Sequence, residues 1–249
     1  MSLEIINNVS VIWMLLAAVV LIILQFVKAP YGRYASSSRG MSIDNKLGWV
    51  VMELPSFFIM LGFIILGNPS SYTLFIAVLW LAHYFHRSII FPARMSTKGK
   101  KMPVAVLLAG IAFNIVNAGL NGYFLGFLAD CMTVTFFGWN FAVGVAIFLV
   151  GAWLNISNDN VLFRLRDGGE LSYKIPHGIA YKYVSCPNLL GEIIEWGGFA
   201  IVAWNLPALS FLIWTIANLI PRAMVHHQWY KDNFDDYPEE RKAIIPFLL

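Results

Sequence analysis

Seven apolar runs cover positions 9–27, 47–67, 72–92, 103–122, 136–156, 187–206 and 207–228. Each is about as long as the roughly 20 residues a helix needs to cross a bilayer. Backbone polar groups in hydrocarbon must be satisfied inside the segment, so runs of this length commit the chain to helices. Gly67-Asn68-Pro69-Ser70 and Asn205-Leu206-Pro207 mark tight connections, since Pro and Gly punctuate helices. Only 12% of the residues are charged, against roughly a quarter in soluble domains. The fold class expected is all-α integral membrane, with seven transmembrane helices.

The basic residues orient the bundle. Lys28, Arg33, Arg39 and Lys46 follow the first run, and Arg94, Lys98, Lys100 and Lys101 the third. Arg164, Arg166, Lys174 and Lys182 follow the fifth; Lys231, Arg241 and Lys242 follow the last. Arg87 and Arg222 lie toward the same ends of their runs, so all 17 Lys and Arg fall on one side. The opposite connections carry only Glu4 and Asp130. By the positive-inside rule the basic side is cytoplasmic, with the N-terminus outside and the C-terminus inside. The first run lacks a basic n-region and a small-residue cleavage site, so it reads as a retained helix rather than a signal peptide. Between the fifth and sixth runs, Asn155-Ile156-Ser157-Asn158-Asp159-Asn160 reads as a helix end opening a long ordered cytoplasmic loop to Pro187. A net charge of +3, scattered over the loops, excludes a nucleic-acid footprint. Cys131 and Cys186 form neither a disulfide framework nor a metal pattern.

Polar residues at membrane depth are costly and usually face a partner, a cavity or a ligand. Asn188, Glu192 and Glu195 recur at steps of four and three in the sixth run; Arg222, His226 and Tyr230 recur at steps of four in the seventh. Each set lies on one helix face. Two readings stand: mutual structural pairing, or a polar pocket for a ligand. Glu53 lies about 10 Å from Lys46 along its helix at about 1.5 Å per residue. Tyr84, in His83-Tyr84-Phe85-His86-Arg87, lies at a similar depth in the antiparallel neighbour. A carboxyl beside a phenol in a dry pocket can hydrogen-bond a carbonyl and stabilise the enolate that forms on it. Equally, Glu53 can simply tie two helices together. His83 and His86 share a face but read as packing, and His226-His227 point apart, so no metal is expected. The chain has no G-x-G-x-x-G and no P-loop, so a nucleotide would need basic side chains such as Arg87, Lys100, Lys101 and Arg166.

Six ordered blocks carry a resemblance. They are Glu53-Leu54-Pro55-Ser56-Phe57, His83 to Arg87, Asn155 to Asp159, Gly169-Glu170-Leu171-Ser172-Tyr173-Lys174-Ile175-Pro176, Asn188 to Trp196, and Phe234 to Phe247. With them the chain resembles the steroid 5-alpha-reductase family over nearly its whole length. The resemblance implies an NADPH-dependent membrane enzyme that reduces the C4–C5 double bond of 3-oxo-4-ene steroids. By analogy Glu53 and Tyr84 polarise the 3-keto oxygen, with Trp49 also against the substrate. The cofactor contacts map onto Asn155, Asp159, Arg166, Ser172, Tyr173, Asn188, Glu192, Trp196, Arg222, His226 and Tyr230, with Arg87, Lys100 and Lys101 as further contacts. Lys100 and Lys101 stand where family members tend to have arginines; lysine binds phosphate as a point charge without bidentate geometry.

The same resemblance implies a single membrane domain over 1–249. Residues 1–130 form mainly its substrate half and 131–249 mainly its cofactor half. The expected protein is a monomer without an obligate protein partner, in a bacterial inner membrane or the endoplasmic reticulum, its cofactor site facing the cytoplasm. Alternatives are a related lipid enone reductase, acting on a polyprenal or a trans-2-enoyl-CoA, and outside enzymes a small-molecule transporter or seven-helix receptor.

Overall fold

The structure, a computed structural model, describes residues 1–27, 40–97, 99–128, 135–165 and 173–249. Its long helices are α1 (Leu3–Phe26), α2 (Asn45–Leu66), α3 (Ser71–Arg94), α4 (Val104–Phe127), α5 (Trp139–Arg164), α6 (Pro187–Ala203) and α7 (Leu206–Asn233). Six of them are long and apolar enough to cross a membrane; α6, with 17 residues, falls just short of that length. Side-chain caps begin several of these helices. Asp44 accepts from the Lys46 and Leu47 amides at 2.9 and 3.0 Å, and Asn205 accepts from Ala208 at 2.9 Å. Each cap satisfies an orphan donor of a first turn.

Helix α2 packs mainly on α4, α5 on α6, and α1 on α7. The α5–α6 seam is the closest. A Cβ at Gly144 or Gly198 would sit within 3 Å of backbone on the facing helix, and the same holds at Gly151 and Gly191. Two glycines seven residues apart on each helix thus let the backbones touch, as small residues do between membrane helices. Gly151→Val is expected to force the seam open and destabilise the protein by about 1–3 kcal/mol, as overpacking does. Thermal unfolding in detergent checks this; an unchanged midpoint would show that the seam tolerates side chains.

The centre of the bundle is aromatic. Trp80 is fully buried, its ring centroid 4.8–5.5 Å from those of Tyr84, Trp196, Phe199 and Phe211. Ile12, Leu15 and Ile22 on α1 and Phe58 and Ile65 on α2 instead face outward.

The polar ends of the helices meet at one end of the molecule. Lys46 donates to the Ala93 carbonyl at 3.0 Å, the Arg94 guanidinium lies 4.9 Å over the Phe163 ring, and Lys100 donates to the Tyr173 hydroxyl at 2.8 Å. A small antiparallel ribbon, β1 (Ser42–Asp44) with β2 (Lys101–Pro103), joins the starts of α2 and α4 there. The all-α expectation did not include it.

Two further expectations are corrected. Asn155–Asn160 does not end a helix; α5 runs through it to Arg164. These polar side chains do not compete with the helical backbone. Asn158 donates back to the Leu154 carbonyl at 2.7 Å, and Asn155 reaches across to the Asn188 carbonyl at 2.9 Å. The third run is not a uniform α-helix either, because His86–Ile90 forms a π turn. Ser88 donates to the Tyr84 carbonyl at 2.6 Å within it. Such turns insert a residue into the helix and often occur at functional sites.

Candidate active site

The α5–α6 seam builds the first part of the site. With no side chain on Gly191, the Asn155 backbone lies against it, and the Asn155 amide reaches both the Asn188 carbonyl and Glu192 Oε2, the latter at 3.3 Å. One turn on, Asn188 donates to Asp159 Oδ1 at 2.9 Å. The π turn of α3 then delivers Arg87 between the two acids. It donates to Asp159 Oδ2 at 3.2 Å and to Glu192 Oε2 at 3.1 Å. Arg222 lies within electrostatic reach of both carboxylates. The steps of four in the sequence therefore converge, and two cations face two anions, as buried charges require.

A second polar group lies between α2, α3 and α4. Glu53 Oε2 accepts from the Asn114 amide at 3.3 Å, and the Tyr84 phenol lies within electrostatic reach of Glu53. Pro55 sits inside α2 two residues beyond Glu53 and removes a helical N–H there. Glu53 and Trp49 are half-buried and Tyr84 is buried. Trp49 donates to the Arg87 carbonyl at 3.1 Å, and its ring lies 5.5 Å from the guanidinium. Both polar groups thus meet at Arg87, which is also within electrostatic reach of Glu53.

His83 faces Glu195 at 2.8 Å, both buried, and packs against Trp196 with ring centroids 4.5 Å apart. Glu195 therefore pairs with His83 rather than with Arg87, although it shares a helix stripe with Glu192. Trp196 is 1% exposed, in the aromatic core 6.0 Å from the Tyr84 ring.

The remaining expected residues are more dispersed. Tyr173 packs against Trp229 at 5.0 Å and holds Lys100; Lys101 stands exposed opposite Asp44 in the ribbon. His226 is half-buried on α7. Tyr230 stacks on Tyr237 at 5.3 Å, in a cluster with Ile175. Burial raises the Tyr237 and Tyr181 phenols above their ordinary range. Tyr181 donates to the Asn158 carbonyl at 3.3 Å, tying the segment before α6 to α5. Arg166, Ser172 and Cys131 lie outside the described residues. Cys186 is buried. Among the described residues no group of three or more His, Cys, Asp or Glu side chains is arranged to hold a metal.

Asn114 was missed by the sequence reading. Asn114, Asn117 and Asn121 recur at steps of three and four on α4 and are all buried, so the periodicity that exposed the other stripes would have exposed this one.

The family model for 3-oxo-5-alpha-steroid 4-dehydrogenase matches residues 100–249. The chain belongs to this family. It is 38% identical to the steroid 5-alpha-reductase of Gossypium hirsutum over 234 residues, 90% of each chain. It is 39% identical to 3-oxo-5-alpha-steroid 4-dehydrogenase 2 of Sus scrofa over 225 residues, 88% of this chain and 87% of that protein. The human protein of the same name is 37% identical over 227 residues, with the same coverage. These relatives are oxidoreductases acting on CH–CH bonds, and membership argues against a transporter or receptor.

Proposed function

We propose that this protein reduces the C4–C5 double bond of a 3-oxo-4-ene steroid with NADPH. The observation that carries the reading is the meeting, at Arg87, of a Glu53–Tyr84 pair with an amide- and carboxylate-lined group, in a chain of this family. Glu53 and Tyr84 donate hydrogen bonds to the 3-keto oxygen. Electron density is drawn out of the enone, which makes C5 electrophilic. A bound nicotinamide dinucleotide supplies the hydride. The two donors then stabilise the enolate oxygen, and C4 takes a proton. Donors fixed in a dry site act more strongly than in water and need no reorganisation.

The residues fit a dinucleotide. Asn188, Glu192, Arg222 and His226 keep part of their surface open, while Asn155, Asp159 and Arg87 lie buried behind them. Amides and carboxylates match a neutral carboxamide and ribose hydroxyls. Exposed Lys100 and Lys101 suit a phosphate, and Tyr173 and Trp229 offer flat faces beside Lys100. Arg166, Ser172 and Tyr230 complete the proposed cofactor set, and Trp196 buttresses it from beside Tyr84. In this reading 1–130 is mainly the substrate half and 131–249 mainly the cofactor half, with Arg87 bridging them. The chain spans the membrane seven times, α6 included, as a monomer with its N-terminus outside and its cofactor site at the cytoplasmic end. Membrane lipids surround it and admit the steroid.

The full-length protein in lipid, given NADPH and testosterone or progesterone, should oxidise the nicotinamide and yield the 4,5-saturated steroid. No saturated product with either steroid would refute the substrate assignment. Lys100→Ala should raise KM for NADPH about fivefold and leave KM for NADH unchanged, the scale of one exposed charge-assisted contact. Equal changes for both cofactors would place Lys100 away from the 2′-phosphate.

A further inference from the structure

Asn114 projects from α4 toward α2, and only 3% of it is exposed. Its amide nitrogen donates to the Met52 carbonyl at 2.7 Å and to Glu53 Oε2 at 3.3 Å. A carbonyl oxygen only accepts, so the short contact with Met52 decides which end of the amide is nitrogen. That nitrogen carries two protons, one for each acceptor. It presents Glu53 with a donor and with nothing to receive a proton. A neutral carboxyl has one O–H, and an oxygen that faces N–H is held as its acceptor end. The acid proton is then confined to the other oxygen, Oε1.

We propose that Asn114 is a positioning residue that sets which Glu53 oxygen carries the proton: it holds Oε2 as acceptor and leaves Oε1–H for the substrate carbonyl. This rests on Glu53 being a donor to that carbonyl. Without the amide the carboxyl can rotate or carry its proton on either oxygen, and a donor free to turn away stabilises the enolate less. Asn114 acts on the reaction only through Glu53, so its removal should touch the carbonyl and not the dinucleotide.

The test uses the full chain in lipid, a 3-oxo-4-ene steroid labelled with carbon-13 at its carbonyl, and difference infrared spectra alongside turnover. Asn114→Leu keeps the volume and removes the donor. It should lower kcat about fivefold, the scale of one net hydrogen bond, with KM for NADPH within about twofold. The bound carbonyl stretch should move to higher wavenumber, toward that of the free steroid. In a Glu53→Gln background the same substitution should leave the stretch where Glu53→Gln alone puts it, because the two effects share one path. If the leucine variant does not fold, Asn114→Ala is read in the same way. Normal kcat and an unshifted stretch, with only a lower unfolding temperature, would reduce Asn114 to a helix tie and overturn the proposal. So would an equal shift in both backgrounds. If Glu53→Gln itself leaves turnover and stretch unchanged, the role of Glu53 falls first and this proposal falls with it.

Discussion

Replacing Glu53 with glutamine is expected to cut kcat by roughly 100-fold or more, the usual contribution of a positioned proton donor, while dinucleotide affinity stays within about twofold. Glutamine has nearly the shape of glutamate, and Asn114 can donate to its amide oxygen, so the fold should survive. What is lost is the acidic proton at the keto oxygen. Tyr84→Phe should behave alike, since removing one donor from an oxyanion site costs roughly 100–1000-fold. The ring would remain packed against Trp80, whose centroid is 5.0 Å away. Steady-state kinetics with an independent measure of NADPH binding separates the outcomes. Loss of cofactor binding in either variant would mean that the pair belongs to the wrong half of the site.

Arg87→Met should be the most damaging single change to stability, by about 3–5 kcal/mol, the cost of leaving buried charges without a partner. Arg87 bonds both Asp159 and Glu192, at 3.2 and 3.1 Å, and little of any of the three side chains is exposed. Methionine fills the space but removes the guanidinium that bonds both carboxylates, leaving Arg222 within electrostatic reach of them and the Asn155 and Asn188 amides as donors. Combining it with Asp159→Asn and Glu192→Gln removes both charges, and that triple variant should recover much of the lost stability. Thermal unfolding of the three proteins, parent, single and triple variant, in one detergent decides the matter. If Arg87→Met is as stable as the parent, the network is solvated and its charges are not coupled in the way described.

The helices were legible because hydropathy and charge placement act over some twenty residues, a scale on which local detail averages out. That Asn188 and Glu192 share one helix face was legible for a related reason: a step of four puts side chains on one face whatever the partner is. Glu195 shows the limit of that rule. It shares the stripe with Glu192 and faces the same helix, yet it pairs with His83 while Glu192 pairs with Arg87, because a stripe does not say which side chain each member meets. The end of α5 was misread because Asn, Ser and Asp favour helix ends in isolation. Here Asn155 and Asn158 find carbonyl partners and the helix continues to Arg164. The π turn that aims Arg87 has no simple residue signature. The close α5–α6 seam did have one, in Gly144, Gly151, Gly191 and Gly198, but it becomes meaningful only once the two helices are known to face each other.

We propose a division of labour, with chemistry at Glu53 and Tyr84 on the conjugated carbonyl and the hydride source held at Asn155, Asn188 and Glu192. Tracing hydrogen tests it most directly. With NADPH carrying deuterium at the transferable position, the steroid product should hold one deuterium at C5 and none at C3; in heavy water it should instead gain deuterium at C4. Deuterium at C3, with the double bond intact, would mean that the carbonyl and not the alkene is reduced, and would contradict the account.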